Sequence, residues 1–379
     1  MSRLIVGLAP MEGITDFATR LWFAKTSQPE FCSTPFYRAT ASSTGKLPPN
    51  YAPELVDLKN YIPYKLIPQV MTGEADQFCV MAEEILKYSA IVDLNCGCPS
   101  PTVVGRGSGS SVLENTDKFS SLVDKISTRI GAPNLSVKMR LGFNHPSEIL
   151  PLVTSLRNFR LQRLTIHGRT RPQRYTGEAD WNLIHEASMA CVFPVMGSGD
   201  IYSSAILQKK ILLAPRINAY IIGRGAIRNP WIFEEIRSGE PIIISKLALF
   251  YALTSFAKLQ EMQKNNFEDL VGLIKTGLFL QPCGVNEELW RIFYSNISGG
   301  SDSFEDLQLT AFAFARIKML WNHFRTSLPH FFWSPLPLKC KSFREFIECL
   351  QSLCREVNLF TIAHNPDWNW LFSGEKRSQ

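Results

Sequence analysis

Short apolar runs recur over the first two-thirds of the chain, each ending on a polar or glycine-bearing step and followed by an amphipathic stretch. The runs predict strands over 4–8, 31–37, 66–71, 90–94, 135–139, 163–166, 193–196 and 219–222. Between most of them the apolar period lengthens to that of a helix, over 16–25, 74–87, 116–130, 147–158, 181–187 and 203–210. Eight strands alternating with helices predict a (β/α)8 TIM barrel rather than an open doubly wound sheet. Position strengthens the reading, because each polar motif follows a strand: Pro10-Met11-Glu12-Gly13, Arg38, Gln69, Asn95 to Cys98, Lys138 to Arg140, His167-Gly168-Arg169, Gly197 to Asp200 and Gly223-Arg224-Gly225. In a barrel those strand ends share one face and the groups converge.

The pattern changes after Glu240. Helical periodicity covers 247–262, 270–280, 287–295, 307–324 and 343–353, with Gly- or Pro-bearing breaks between. This predicts a barrel domain over 1–239 and a smaller all-helical domain over 240–379 that ends in a polar tail. The second domain is neutral overall, but no acid occurs from Leu307 to Arg344. That stretch carries Arg316, Lys318, Arg325, Lys339, Lys341 and Arg344 interleaved with Trp321, Phe324, Phe331, Phe332 and Trp333. Cations with aromatics suit a phosphate backbone and unstacked bases. Helical spacing nevertheless places Trp321 and Phe324 in a core. Arg316 and Lys318 fit either an RNA-facing strip or a solvated helix face.

The net charge of +6 permits a nucleic-acid partner without requiring one. Nine cysteines with no secretory pattern predict free thiols in a reducing cytoplasm. The longest apolar runs are broken by charges such as Lys246, so no membrane span is expected.

Candidate chemistry begins at Asp93-Leu94-Asn95-Cys96-Gly97-Cys98-Pro99-Ser100, where a strand delivers an amide and a thiol on a tight turn. Cys98 could be a small buried apolar residue. No second cysteine pair at ligand spacing supports a metal site. Thiols ordinarily titrate near 8.5, so an exposed one can act as a proton donor at neutral pH. Glycine loops after strands seven and eight, at Gly197 to Asp200 and Gly223 to Gly225, suit a phosphorylated cofactor such as a mononucleotide. Lys138, His167 and Gln69 close strands five, six and three, and together suit the ring acceptors of a flavin. The run Gly105-Arg106-Gly107-Ser108-Gly109-Ser110 misses the dinucleotide spacing and does not follow a strand.

Taken together, these motifs resemble the flavin-dependent tRNA-dihydrouridine synthases. The matching residues also include Val137 to Gly142, His167 to Thr170, Gly177 to Trp181 and Ile222 to Ala226, spanning about 4–235 in the family's order. The resemblance implies an FMN-bearing barrel followed by a helical tRNA-binding domain. NADPH would reduce FMN, hydride would pass to C6 of a uracil, and Cys98 would protonate C5. It places Pro10, Met11, Glu12, Gln69, Lys138, His167, Ser198, Gly199, Asp200, Gly223 and Arg224 around FMN. Asn95 and Tyr175 would contact the nucleotide. Arg38, Arg140 and Arg169 at the mouth, and Arg316, Lys318 and Arg344 on the basic strip, would be further tRNA contacts at the D-loop and elbow. The sequence most resembles the bacterial branch that modifies position 16, and a monomer without metal is expected. Ser198 replaces a frequent Asn, Pro101 a frequent Lys, and Pro35 a frequent Glu. The rivals are a dihydropyrimidine or dihydroorotate dehydrogenase acting on free bases, and a tRNA-binding paralogue without chemistry.

Overall fold

The structure, a computed structural model, describes residues 4–49, 51–301, 303–304 and 307–363. The polar tail predicted at 374–379 lies outside them. Eight parallel strands form a closed ring. In chain order they are Ile5–Leu8, Phe31–Ser33, Lys65–Ile67 with Gln69–Met71, Val92–Cys96, Leu135–Arg140, Arg163–His167, Val195–Ser198 and Ala219–Ile222. Closure runs through Pro68, which splits strand three because proline has no N–H to give to a ladder. The piece before it pairs with strand two and the piece after it with strand four. Strand one closes the ring on strand eight, with Ile5 opposite Ala219 and Leu8 opposite Ile222. A two-residue stretch, Tyr37–Arg38, adds to the outside of strand three.

Alternation along each strand decides what reaches the site. Leu94, Cys96, Val137, Met139, Leu164 and Ile166 belong to the apolar layer shared with the outer helices. Their alternates Asp93, Asn95, Ser136, Lys138, Arg140, Thr165 and His167 therefore point into the barrel. A small second cluster of Phe31, Ile67, Met196 and Ile221, with Ala9, fills the barrel interior. Gly7 makes room for it, since a Cβ there would fall 2.3 Å from the Phe31 ring. The apolar layers end below the strand termini and leave the polar alternates at the mouth.

The predicted helices form with shifted ends, mostly where a cap fixes them. Phe17–Thr26 starts on Asp16, whose carboxylate accepts from Thr19 N. Ala311–Phe324 starts on Thr310 rather than at 307, because Thr310 caps Ala313 N. Short helices at Ala52–Val56, Pro101–Val104, Arg224–Arg228 and Ile232–Ser238 were not read from periodicity. The second region is helical but not entirely so: Ile242–Ser245 pairs antiparallel with Leu359–Ile362.

That region docks on the barrel through buried aromatics. Trp22 lies edge-on to Trp231 and Phe256, and Trp231 touches Phe324. Such pairs are worth about 0.5–1.5 kcal/mol each beyond area burial. Trp321 and Phe324 are fully buried, as helical spacing required, and so is Phe332 in the turn His330–Trp333. All nine cysteines are free thiols. No helix among the described residues is long and apolar enough to cross a membrane.

Candidate active site

The strand ends enclose a cavity of about 400 Å³. Of the residues singled out in the sequence, Pro10, Met11, Glu12, Gln69, Asn95, Cys98, Lys138, Arg140, His167, Tyr175, Ser198, Gly199, Asp200, Gly223 and Arg224 all line it. Pro35 and Phe36 form another part of the wall.

A polar chain organises the thiol side. Ser136 Oγ donates to Asp93 Oδ1 at 2.6 Å, and Gln69 Nε2 donates to Asp93 Oδ2 at 2.6 Å. Asn95 Nδ2 donates to Gln69 Oε1 at 2.6 Å. Asn95 Oδ1 in turn accepts from the backbone N–H groups of Gly97 and Cys98, each at 3.0 Å. Asn95 thus shapes the turn that carries Cys98. The two cysteines of that turn separate cleanly. Cys96 is fully buried, and burial pushes its thiol well above the usual range. Cys98 is half-buried and faces the cavity.

The opposite side is cationic. Lys138 has no hydrogen-bond partner among the described residues, and burial together with Arg140 lowers it to about 8. Burial, Arg140 and Lys138 hold His167 well below its usual range, so the imidazole is neutral. Its Nδ1 lies 3.3 Å from Ser198 Oγ, while its buried Nε2 has no partner. An ammonium and an imidazole nitrogen without partners in one cavity call for a ligand rich in acceptors. A flavin ring fits that demand.

The glycine loops after strands seven and eight touch each other. A Cβ on Gly225 would lie 1.8 Å from Ile201 O, so only glycine permits the approach. Asp200 sits at φ +51°, an unusual region for a non-glycine residue. Arg169 Nη2 reaches both of its carboxylate oxygens at 2.9 and 2.7 Å, and Tyr202 OH donates at 3.0 Å. Burial alone would push this carboxyl up, but Arg169, Ala179 N–H and Tyr202 outweigh it and hold it below the usual range. At the rim, the Tyr175 ring is approached by the guanidinium carbons of Arg224 at 4.4 Å and Arg140 at 5.7 Å.

Several expected tRNA contacts lie elsewhere. Arg169 is buried behind the wall, where it fixes Asp200 and the Thr176 and Gly177 carbonyls. Arg316 turns inward and donates to the carbonyls of Gly13 and Ile14, to Asp16, to Thr19 and to Gln260. It clasps the helical region to the loop after strand one. Lys318 Nζ donates to Cys340 O at 2.6 Å and lies over the Phe314 ring. Arg38 is half-buried and does not reach the cavity. Of the strip residues, Lys339, Lys341 and Arg344 face solvent, Arg344 with Glu348 at 3.9 Å. Arg316→Ala should therefore lower unfolding free energy by about 2 kcal/mol in a denaturant titration. Arg344→Ala should change it by less than about 0.5 kcal/mol.

The sequence did not reveal His323, which lines the cavity from the helical region. Burial, Arg228 and Arg224 hold it below its usual pKa. The signal was present: His323 lies two helical turns from Arg316 and so shares its barrel-facing stripe. Tyr202, directly after Asp200-Ile201, was also missed.

A family model described as dihydrouridine synthase matches residues 7–275. The tRNA-dihydrouridine(47) synthase [NAD(P)(+)] of Coprinopsis cinerea is 35% identical over 189 residues, 46% of this chain and 26% of that protein. The tRNA-dihydrouridine(16) synthase of Shigella flexneri is 29% identical over 241 residues, 62% of this chain and 76% of that one. The tRNA-dihydrouridine synthase B of Pseudomonas aeruginosa is 32% identical over 178 residues, 45% and 53% of the two chains. The chain thus spans about a quarter of the length of the first relative named here. Among solved structures, morphinone reductase in complex with tetrahydroNAD matches 62% of this chain and 86% of its own at 10% identity and TM-score 0.41.

Proposed function

The chain belongs to the dihydrouridine synthase family, and from that premise we propose that it is an FMN- and NADPH-dependent enzyme that saturates the C5–C6 bond of a uridine in tRNA. The observation that carries this reading is that Cys98, Lys138, the unpartnered Nε2 of His167 and the two touching glycine loops line one cavity.

A bound flavin mononucleotide would supply hydride to C6 of the uracil. Lys138 and His167 would hold its ring, and Ser198, Gly199, Gly223 and Arg224 its phosphate end. The uracil must leave the RNA stack to enter the mouth. Tyr175, stiffened by two guanidinium groups, offers a face for it. Hydride addition builds enolate character at C5 and O4, and the Cys98 thiol donates its proton at C5. Asn95 keeps that thiol aimed at the cavity and retains one amide hydrogen for the nucleotide.

The region beyond residue 240 would carry the tRNA, with Arg344, Lys339 and Lys341 on its exposed side. The protein would act as a cytoplasmic monomer. We assign the D-loop position 16, because the position-16 relative matches the greater share of this chain, although position-47 relatives are slightly more identical over shorter stretches.

Deleting the encoding gene should remove dihydrouridine from tRNA, and a plasmid copy should restore it, as read by mass spectrometry of mapped fragments. Unchanged dihydrouridine would overturn the activity. Loss at another position with position 16 intact would overturn only the position.

A further inference from the structure

The glycine-serine run at 105–110, which fits no phosphate motif, packs against the thiol turn. It links Pro101–Val104 to the 3-10 turn Gly109–Leu113. Ser110 N donates to the Cys98 carbonyl at 3.0 Å, and Ser110 Oγ donates to the same oxygen at 2.8 Å. On the other side of the residue, Cys98 N–H donates to Asn95 Oδ1. Both backbone polar groups of Cys98 are therefore tied, one by the strand and one by this run. Ser110 is fully buried.

The run is wedged in place by close backbone approaches. Gly109 has φ +63°, and a Cβ there would fall 2.9 Å from Cys98 O and 3.1 Å from Cys98 Cβ. Gly107 O lies 2.1 Å from where a Cβ on Gly73 would stand, just past strand three. Two glycines thus let the run fit between the ends of strands three and four, and the serine that follows grips the cysteine.

We propose that Ser110 is a positioning residue for the proton donor: with the Gly107 and Gly109 turns it locks the Cys98 peptide so that the thiol faces the cavity. The proposal rests on the reading of Cys98 as the acid, and it deepens that reading. A donor on a tight turn has little tolerance, since a shift of about 1 Å in a reacting group costs on the order of a hundredfold in rate. Asn95 fixes the peptide unit before Cys98 and Ser110 the unit after it. With the second hold weakened, the unit after Cys98 can turn and carry the sulfur away from the base.

The test uses the FMN-loaded protein and Ser110→Ala, which keeps the Ser110 N–H bond and so should fold. Flavin reduction by NADPH should stay within about twofold of wild type, while flavin reoxidation by undermodified tRNA should slow by about tenfold. Iodoacetamide labelling of Cys98, followed by mass spectrometry, should become about threefold faster as the thiol loosens. In a Cys98→Ala background, Ser110→Ala should cause no further slowing of reoxidation. An equal further loss there would make Ser110 a general structural residue and overturn the proposal. An unchanged labelling rate would also overturn it. If Cys98→Ala itself retained turnover, the acid reading would fall, whereas the labelling rate would still decide whether Ser110 holds the thiol.

Discussion

Cys98→Ala should purify with a full complement of flavin yet reoxidise it with tRNA about a thousandfold more slowly than wild type. The expectation follows from the division of labour in the turn. The fold there depends on the backbone N–H and carbonyl of Cys98, which Asn95 and Ser110 hold, and not on the sulfur. Removing the sulfur leaves the turn, the cavity wall and the cofactor contacts intact. It deletes only the group that can donate a proton. Cys96 cannot replace it, because that side chain lies in the apolar layer outside the barrel and its proton is held far too tightly. Flavin absorbance and stopped-flow reoxidation separate the two effects. A variant that keeps more than about a tenth of wild-type reoxidation would remove Cys98 from the acid role. Loss of flavin along with turnover would instead mean that the turn itself had collapsed.

The site was legible in the sequence where the physics was local. Polar residues at or just past the ends of strands four, five and six alternate with apolar ones, and that parity fixed their direction, so Asn95, Lys138 and His167 could be placed at the mouth without knowing the partners. Longer-range facts were not available. Pro68 marks a break in strand three, but only the pairing of both pieces reveals that the ring still closes through it. The ribbon between Ile242–Ser245 and Leu359–Ile362 joins segments with the whole helical region between them, and neither carries a hairpin turn. Arg316 shows the sharpest limit. Composition placed it on a basic strip, and only the loop after strand one, some three hundred residues away, shows where its guanidinium goes. Arg169 is similar: its partner Asp200 sits on the next strand's loop, held in a backbone conformation that the ion pair supports. Charge counting describes a surface only when no buried carboxylate or carbonyl claims the cation first.

Lys138→Met should make the flavin-free protein more stable while weakening flavin binding by at least about tenfold. Lys138 lies beside Asn95 on strand four and Thr165 on strand six, at the level where the apolar filling of the barrel ends. Burial, reinforced by Arg140, lowers it from 10.5 to about 8, even though Asp93 and Cys98 favour the charged form. At neutral pH the folded protein therefore carries a partly buried, poorly solvated ammonium on the cavity wall that the unfolded chain would hydrate freely. A lysine with a lowered folded pKa destabilises the fold fully at pH values below that pKa. The penalty fades as pH rises through about 8 toward the unfolded value of 10.5. Unfolding free energy of the flavin-free wild type should thus climb over that window, and Lys138→Met should abolish the climb. At pH 7 the variant should be more stable by roughly 1–3 kcal/mol. A residue so costly to the empty fold makes sense if an electron-rich ring supplies the missing partner, and flavin should then raise the melting temperature of wild type more than that of the variant. Denaturant titrations across pH, with and without FMN, measure both halves. A less stable flavin-free variant with undiminished flavin affinity would make Lys138 a structural residue of the barrel and would leave the cavity without its clearest reason to hold a flavin.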